Sequence, residues 1–263
     1  MRSANPLRFL STDTSDAALN LAIEEVLVNT DDGRDVVMLW RNDPVVVVGR
    51  HQNTELQVNR AYCEDHGIMV IRRLSGGGAV YHDRGNLCYT VITRGVERHA
   101  TGFERFARPV IDALARLGVQ AEFTGNDLMV GDKKFSGLAQ YTRNTTLMQH
   151  GALLFNTDLS ALGLALKPKL QVHHIQKPVP GVASHVARVT NLSEHLEVSF
   201  EDFCATLVAC FTEGAEVEQQ ALSAEELVAA TKRADSRYRR DSWNWGAPPL
   251  LGPEFSTEDL ELA

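Results

Sequence analysis

Residues 72 to 86 read Arg72-Arg73-Leu74-Ser75-Gly76-Gly77-Gly78-Ala79-Val80-Tyr81-His82-Asp83-Arg84-Gly85-Asn86 and join two arginines to a triple glycine. Three consecutive glycines let backbone N–H groups close on a phosphate or carboxylate without side-chain hindrance, and arginine adds fixed charge and forked donors. The chemistry this predicts is anion binding, although a bare triple glycine also suits a plain hairpin. No Gly-Lys-Ser/Thr ending follows, and apolar runs that read as strands, Met69-Val70-Ile71 and Leu87-Cys88-Tyr89-Thr90-Val91-Ile92, flank both sides. A P-loop or dinucleotide fingerprint needs a strand followed by a helix, so both are disfavoured.

The elements that hold this loop are legible from periodicity. Leu19, Ile23 and Val26 recur at helical spacing over about Asp16 to Asn29, and Phe106, Val110, Leu114 and Leu117 do so before Gly118. Val36 to Trp40 and Val45 to Val48 flank Asn42-Asp43-Pro44, a hairpin signal, and the glycine-rich stretch is expected to form the next hairpin. Ala121 to Phe123, Leu128 to Val130, Lys134 to Gln140 and Met148 to Leu154 read as further strands. The expected layer is a mixed, largely antiparallel sheet. Two helices follow, near Phe200 to Phe211 and from Ser223, where Ser223-Ala224-Glu225-Glu226 has the form of a capping box. Lys167 to His185 shows no period and reads as a long loop, the kind that often serves as a lid.

Bulk properties narrow the class. A chain of 263 residues with 44% hydrophobic content can bury one large core. Its net charge of -8 argues against general nucleic-acid binding. No apolar run approaches the roughly 20 residues that span a bilayer, and Met1 to Pro6 lacks a signal core, so a cytoplasmic setting is expected. Cys63, Cys88, Cys204 and Cys210 have no Cys-x-x-Cys spacing, and the last three lie in apolar segments as reduced core thiols.

The glycine run together with Gly131-Asp132-Lys133-Lys134-Phe135-Ser136-Gly137 strongly resembles the lipoate-protein ligases. Leu19-Asn20-Leu21-Ala22-Ile23-Glu24-Glu25, Trp40-Arg41-Asn42, Val48-Gly49-Arg50-His51-Gln52-Asn53, His150-Gly151-Ala152-Leu153-Leu154 and Arg188-Val189-Thr190-Asn191-Leu192 keep the family's order. The resemblance implies the α/β (α+β) fold of class II aminoacyl-tRNA synthetase and biotin ligase catalytic domains, a mainly antiparallel sheet packed by helices. It implies activation of lipoate by ATP to lipoyl-AMP, with pyrophosphate released. The lipoyl group then passes to a lysine of a lipoyl carrier domain, such as a 2-oxoacid dehydrogenase E2 or a glycine cleavage H-like protein.

Site roles follow from the same resemblance. When a carboxylate attacks the ATP α-phosphate two anions must meet, and an ammonium between them lowers the repulsion. On residue type Lys133 and Lys134 both qualify; the family's lysine directly precedes x-Ser-Gly, which selects Lys134 as catalytic. Arg73 fits an ATP-phosphate role, with the backbone of Gly76, Gly77, Gly78, Ala79, Val80 and Tyr81 wrapping lipoyl-AMP. Arg72, its strand neighbour, must point the other way. Ser75 and His150 fit polar contacts to the lipoyl carboxylate or adenylate, and His150 also fits a hydrogen-bonded strand histidine. Asn126 and Asp127 fit nucleotide or Mg2+ positioning, or a turn. The lipoyl tail is expected to need an apolar slot near Leu21, Val47 and Ala139.

The same residues bear on three other readings. Acyl transferases of this fold that form a thioester need a cysteine near the lysine segment or after the His-Gly strand, and none lies between Cys88 and Cys204. A lipoyltransferase using ready-made lipoyl-AMP, or a non-catalytic lipoate or adenylate binder, shares the loop and the lysine. Residues 1–263 read as one catalytic domain. Full-length ligases continue past the Trp243-Asn244-Trp245-Gly246-Ala247-Pro248-Pro249 segment into an accessory domain that is expected to be absent here, so that a separate accessory protein becomes an expected partner.

Overall fold

The chain is described from a computed structural model over residues 6–30, 32–96, 102–167 and 188–248. In chain order the elements are β1 (Leu7–Ser11), α1 (Ala17–Asn29), β2 (Val36–Trp40), β3 (Val45–Val48), α2 (Thr54–Gln57), α3 (Arg60–Asp65), β4 (Met69–Arg72), β5 (Val80–His82), β6 (Asn86–Thr93), α4 (Phe103–Arg116), β7 (Glu122–Thr124), β8 (Asp127–Val130), β9 (Lys133–Arg143), β10 (Thr146–Leu154), α5 (Leu159–Ala165), α6 (Phe200–Thr212), β11 (Val217–Gln219), α7 (Ala224–Arg233) and α8 (Asp241–Asn244). Eight strands form one sheet in the order β11-β1-β2-β6-β10-β9-β8-β7, and three form a second in the order β4-β3-β5. Six of the nine described pairings are antiparallel, so the mainly antiparallel expectation holds.

Alternation of side chains along a strand divides the core. Val37 and Leu39 of β2, Tyr89 and Val91 of β6 and Leu138 of β9 meet Phe106, Val110 and Leu114 of α4 and Phe203 and Leu207 of α6. The opposite face, with Met38, Trp40, Cys88 and Met148, packs on Leu21, Ile23 and Leu27 of α1 and on Val45, Val47 and Ile71 of the small sheet. Val46 and Val48 face a third cluster with Cys63, Tyr81 and Ala165. Caps match the sequence signals. Asp16 accepts from the N–H groups of Ala18 and Leu19, Gly118 stops α4 at φ 83°, and Ser223 and Glu226 form the reciprocal capping box.

Two hairpin expectations are corrected. The strands β2 and β3 do not pair; the Asn42-Asp43-Pro44 turn carries the chain from the large sheet to the small one. Both strands are apolar on both faces, so each needs a packed layer on either side and each is central in its own sheet. Nor is the glycine stretch a hairpin. It links β4 to β5, which lie on opposite sides of β3, the first parallel and the second antiparallel to it, so the loop crosses the end of β3. The lid expected over Lys167 to His185 lies outside the described residues except for Lys167 itself. Among the described residues no helix is long and apolar enough to cross a membrane.

Candidate functional site

Strand register assembles the site. Trp40 on β2 faces Cys88 on β6, Cys88 faces Ala152 on β10, Ala152 faces Gly137 on β9, and Gly137 faces Asp127 on β8. With strands about 4.8 Å apart, this row runs roughly 19 Å across the sheet. All five residues line one pocket, together with Leu21 of α1, Val47, Val80 and His82 of the small sheet, and Gly78 and Ala79 of the loop. The groove is apolar towards Trp40 and charged at the Asp127 end.

At that charged end the Lys134 Nζ lies 2.7 Å from the Asp127 Oδ1. The lysine is fixed from below as well. Its backbone N–H donates to the Arg188 carbonyl at 2.7 Å and its carbonyl accepts from the Thr190 N–H at 3.0 Å. Its side chain lies back over Gly137, where an added β-carbon would sit 3.0 Å from Nζ. Register thus turns Lys134 along the groove.

The loop is shaped by Arg73. From beneath, its Nε donates to the Ser75 hydroxyl at 2.9 Å, one terminal nitrogen donates to the Val47 carbonyl, and the other to the Gly76 and Gly78 carbonyls. Four of its five N–H groups therefore end on protein acceptors, and its chief visible work is to bend the loop. Burial pushes this guanidinium down to about 10, with the charge of Glu24 pulling the other way. Arg72 points away and pins another segment. It donates to the carbonyls of Gln52 at 2.7 Å and Trp243 at 2.8 Å, while its own carbonyl accepts from the Trp243 indole at 2.8 Å.

A buried relay backs the loop. Trp40 Nε1 donates to Thr90 Oγ1 at 2.9 Å, and Thr90 donates to Glu24 Oε1. The same oxygen lies 2.9 Å from His150 Nδ1, and His150 Nε2 lies 2.6 Å from Ser75 Oγ. Glu24 holds the proton on Nδ1, so Ser75 donates to Nε2 and accepts from Arg73.

Of the residues expected from sequence, Arg73, Gly78, Ala79, Val80, Asn126, Asp127, Lys134 and His150 line the pocket, as do Leu21, Val47 and Ala139. Gly76, Gly77 and Tyr81 do not; alternation along β5 sends the Tyr81 ring into the third core cluster while Val80 and His82 face the groove. Ser75 lies behind the wall, between Arg73 and His150. Glu24 and His82 were not singled out by sequence. The signal for Glu24 is a carboxylate sharing a helix face with Leu21 and Val28, and it is buried there at 2% exposure. His82 shares the Val80 face of its strand.

Residues 16–212 match the family model described as the lipoyl protein ligase A/B catalytic domain. The chain is 37% identical over 248 residues to lipoate–protein ligase 1 of Staphylococcus aureus, covering 92% of this chain and 74% of that protein. It superposes with a TM-score of 0.81 at 26% identity on the Thermoplasma acidophilum bi-partite lipoate protein ligase, solved in a study with its E2 lipoyl domain; 94% of this chain and 98% of that one are covered. A lipoate-protein ligase A bound with ATP gives a TM-score of 0.80 at 26% identity, covering 92% of this chain and all of the other.

Proposed function

The chain belongs to the lipoyl protein ligase A/B catalytic-domain family, and from that premise we propose that it joins lipoate to a protein lysine in two steps, with lipoyl-AMP between them. In the first, a lipoate carboxylate oxygen attacks the α-phosphorus of ATP and pyrophosphate leaves. In the second, a carrier lysine amine attacks the acyl carbon and AMP leaves. The observation that supports this best is the cross-sheet row with the Lys134 ammonium at one end and apolar residues at the other. A medium-length acyl chain laid along it places its carboxylate beside Lys134.

Both steps gather negative charge where that ammonium lies, on the α-phosphate in the first and on the acyl oxygen in the second. A preorganised cation in a half-buried site stabilises both. The glycine loop, bent by Arg73, lines the same pocket through Gly78 and Ala79, and Gly76, Gly77, Gly78 and Ala79 are proposed to wrap the adenylate. Asp127 is proposed to orient Lys134, and with Asn126 to face the nucleotide. A single carboxylate completed by nucleotide phosphates and water matches how Mg2+ is commonly held, and charge screening of the triphosphate is what the ion supplies when bound. Ser75 and His150 then act by fixing the groove wall.

The thioester alternative meets a physical obstacle. Cys88 does reach the groove, but burial and the charge of Glu24 hold its thiol well above the usual range, which starves it of thiolate.

The decisive experiment incubates the protein with an unmodified lipoyl carrier domain, lipoate and Mg-ATP, beside a tube containing preformed lipoyl-AMP, and reads the carrier's intact mass. A lipoyl increment in both tubes supports a self-sufficient ligase. An increment with lipoyl-AMP alone assigns activation to a separate accessory partner or another enzyme. No increment in either tube overturns the proposal.

A further inference from the structure

One group in the groove wall is left without a protein partner. His82 is 5% exposed and lines the pocket, and its Nε2 is buried with no hydrogen-bond acceptor or donor in reach. An orphaned buried N–H of this kind costs stability unless a ligand completes it.

Which nitrogen carries the proton is fixed by the surroundings. The Asn20 amide nitrogen lies 3.1 Å from the Thr14 carbonyl and 3.0 Å from both the Arg41 carbonyl and Asn42 Oδ1, and these contacts orient its NH2. Asn42 Oδ1 is therefore an acceptor, and its NH2 points at His82 Nδ1, 3.2 Å away. The Cys88 thiol lies 3.6 Å from the same nitrogen. Two donors converge on Nδ1, so it holds the lone pair and Nε2 holds the hydrogen. Burial, then the neighbouring Arg73 and His150, push the imidazole down to about 3, so the ring stays neutral. His82 and His150 thus line one groove in opposite tautomers.

The position of His82 identifies what its N–H meets. Its ring lies 6.1 Å from that of Trp40, edge to face, at the end of the row opposite Lys134. Trp40 and Cys88 line the groove beside it, and Arg73 and His150 stand near enough to act on the ring, but both of those side chains already have protein partners, which leaves the His82 N–H as the donor free for a ligand. We propose that His82 Nε2–H donates to a sulfur at the tail of the bound acid and thereby makes the site prefer a sulfur-bearing acyl chain to an all-carbon chain of equal length. Sulfur is a weak acceptor that an apolar pocket tolerates, whereas a methylene leaves the N–H unsatisfied. The inference rests on the lipoate reading above and adds a residue that discriminates among acids.

The test titrates lipoate and octanoate calorimetrically against the wild-type protein and His82→Leu. Wild type is expected to bind lipoate about tenfold more tightly than octanoate, with the ratio falling towards one in the variant. A second reading needs no variant. In protein labelled with 15N-histidine, Nε2 of His82 should be the protonated nitrogen, and its N–H resonance should move with lipoate far more than with octanoate. An unchanged ratio in folded His82→Leu, a proton on Nδ1, or equal shifts with both acids overturns the inference alone. Failure of wild type to bind either acid overturns the lipoate reading with it.

Discussion

Gly49 and Gly77 touch backbone to backbone: a β-carbon built on Gly49 would lie 2.0 Å from the Gly77 carbonyl oxygen. Gly77 itself stands at φ 82°, and the Arg50 N–H just beyond Gly49 donates to the Ser75 carbonyl at 2.9 Å. The end of β3 is thus the template on which the loop is bent. Gly49→Ala should push the loop off this template, cost about 1–3 kcal/mol in stability, and weaken adenylate binding well beyond that of a surface control. Urea unfolding and titration with a non-hydrolysable lipoyl-AMP analogue check it; unchanged affinity in the variant would show that the contact is dispensable.

Lys134→Ala should slow both adenylate formation and lipoyl transfer by at least about 100-fold, the scale of losing one preorganised stabilising group. Its stability should change by less than about 1 kcal/mol, because Lys134 and Asp127 are both partly solvated and a pair of that kind contributes little. Single-turnover rates with ATP and with lipoyl-AMP provide the comparison. A folded variant with wild-type rates in either step removes Lys134 from that step.

Arg72 and Arg73 are adjacent but should fail differently. Arg72→Met strips donors from the Gln52 and Trp243 carbonyls and should cost about 3 kcal/mol or more in global stability. Arg73→Met should chiefly release the loop, raising the Michaelis constant for ATP more than it lowers the melting temperature. Thermal melts beside steady-state kinetics separate the two.

Acid sensitivity follows from His82. Its folded-state pKa is depressed to about 3 while the unfolded chain titrates near 6.5, so the unfolded state binds the extra proton first. The stability tied to the neutral ring is whole above about pH 6.5 and is lost progressively as pH falls towards 3, up to roughly 5 kcal/mol. Between pH 7 and 4.5 the unfolding free energy of wild type should fall more steeply than that of His82→Leu. Parallel slopes would show that the ring is protonated inside the fold.

Cys88→Ser should still support modification of the carrier, and no thioester should appear on the wild-type protein during turnover. Intact mass of the protein after an acid quench tests the second point directly. An acyl increment lost on Cys88→Ser would reinstate a thioester route.

What the sequence determined by itself is local. The apolar spacing of α1 and α4, the Ser223 capping box and the strand runs depend on neighbours a few residues away and appear where their patterns put them, whereas the glycine stretch, which reads locally as a hairpin, is carried across the end of β3 instead. The order of motifs identified the family for the same reason, since side-chain chemistry at fixed spacing is readable without a fold. Tertiary structure decided the rest. Turn residues Asn42-Asp43-Pro44 say that the chain reverses but not which sheet receives it, and only packing on both faces of β2 and β3 sends them apart. Four register choices bring Trp40, Cys88, Ala152, Gly137 and Asp127 into one row from positions spread over more than a hundred residues. The protons of His82 and His150 depend on Asn42 and Glu24, remote side chains whose approach no local pattern encodes. Sequence supplied the groups; long-range register and burial fixed their distances, their tautomers and the direction each one faces.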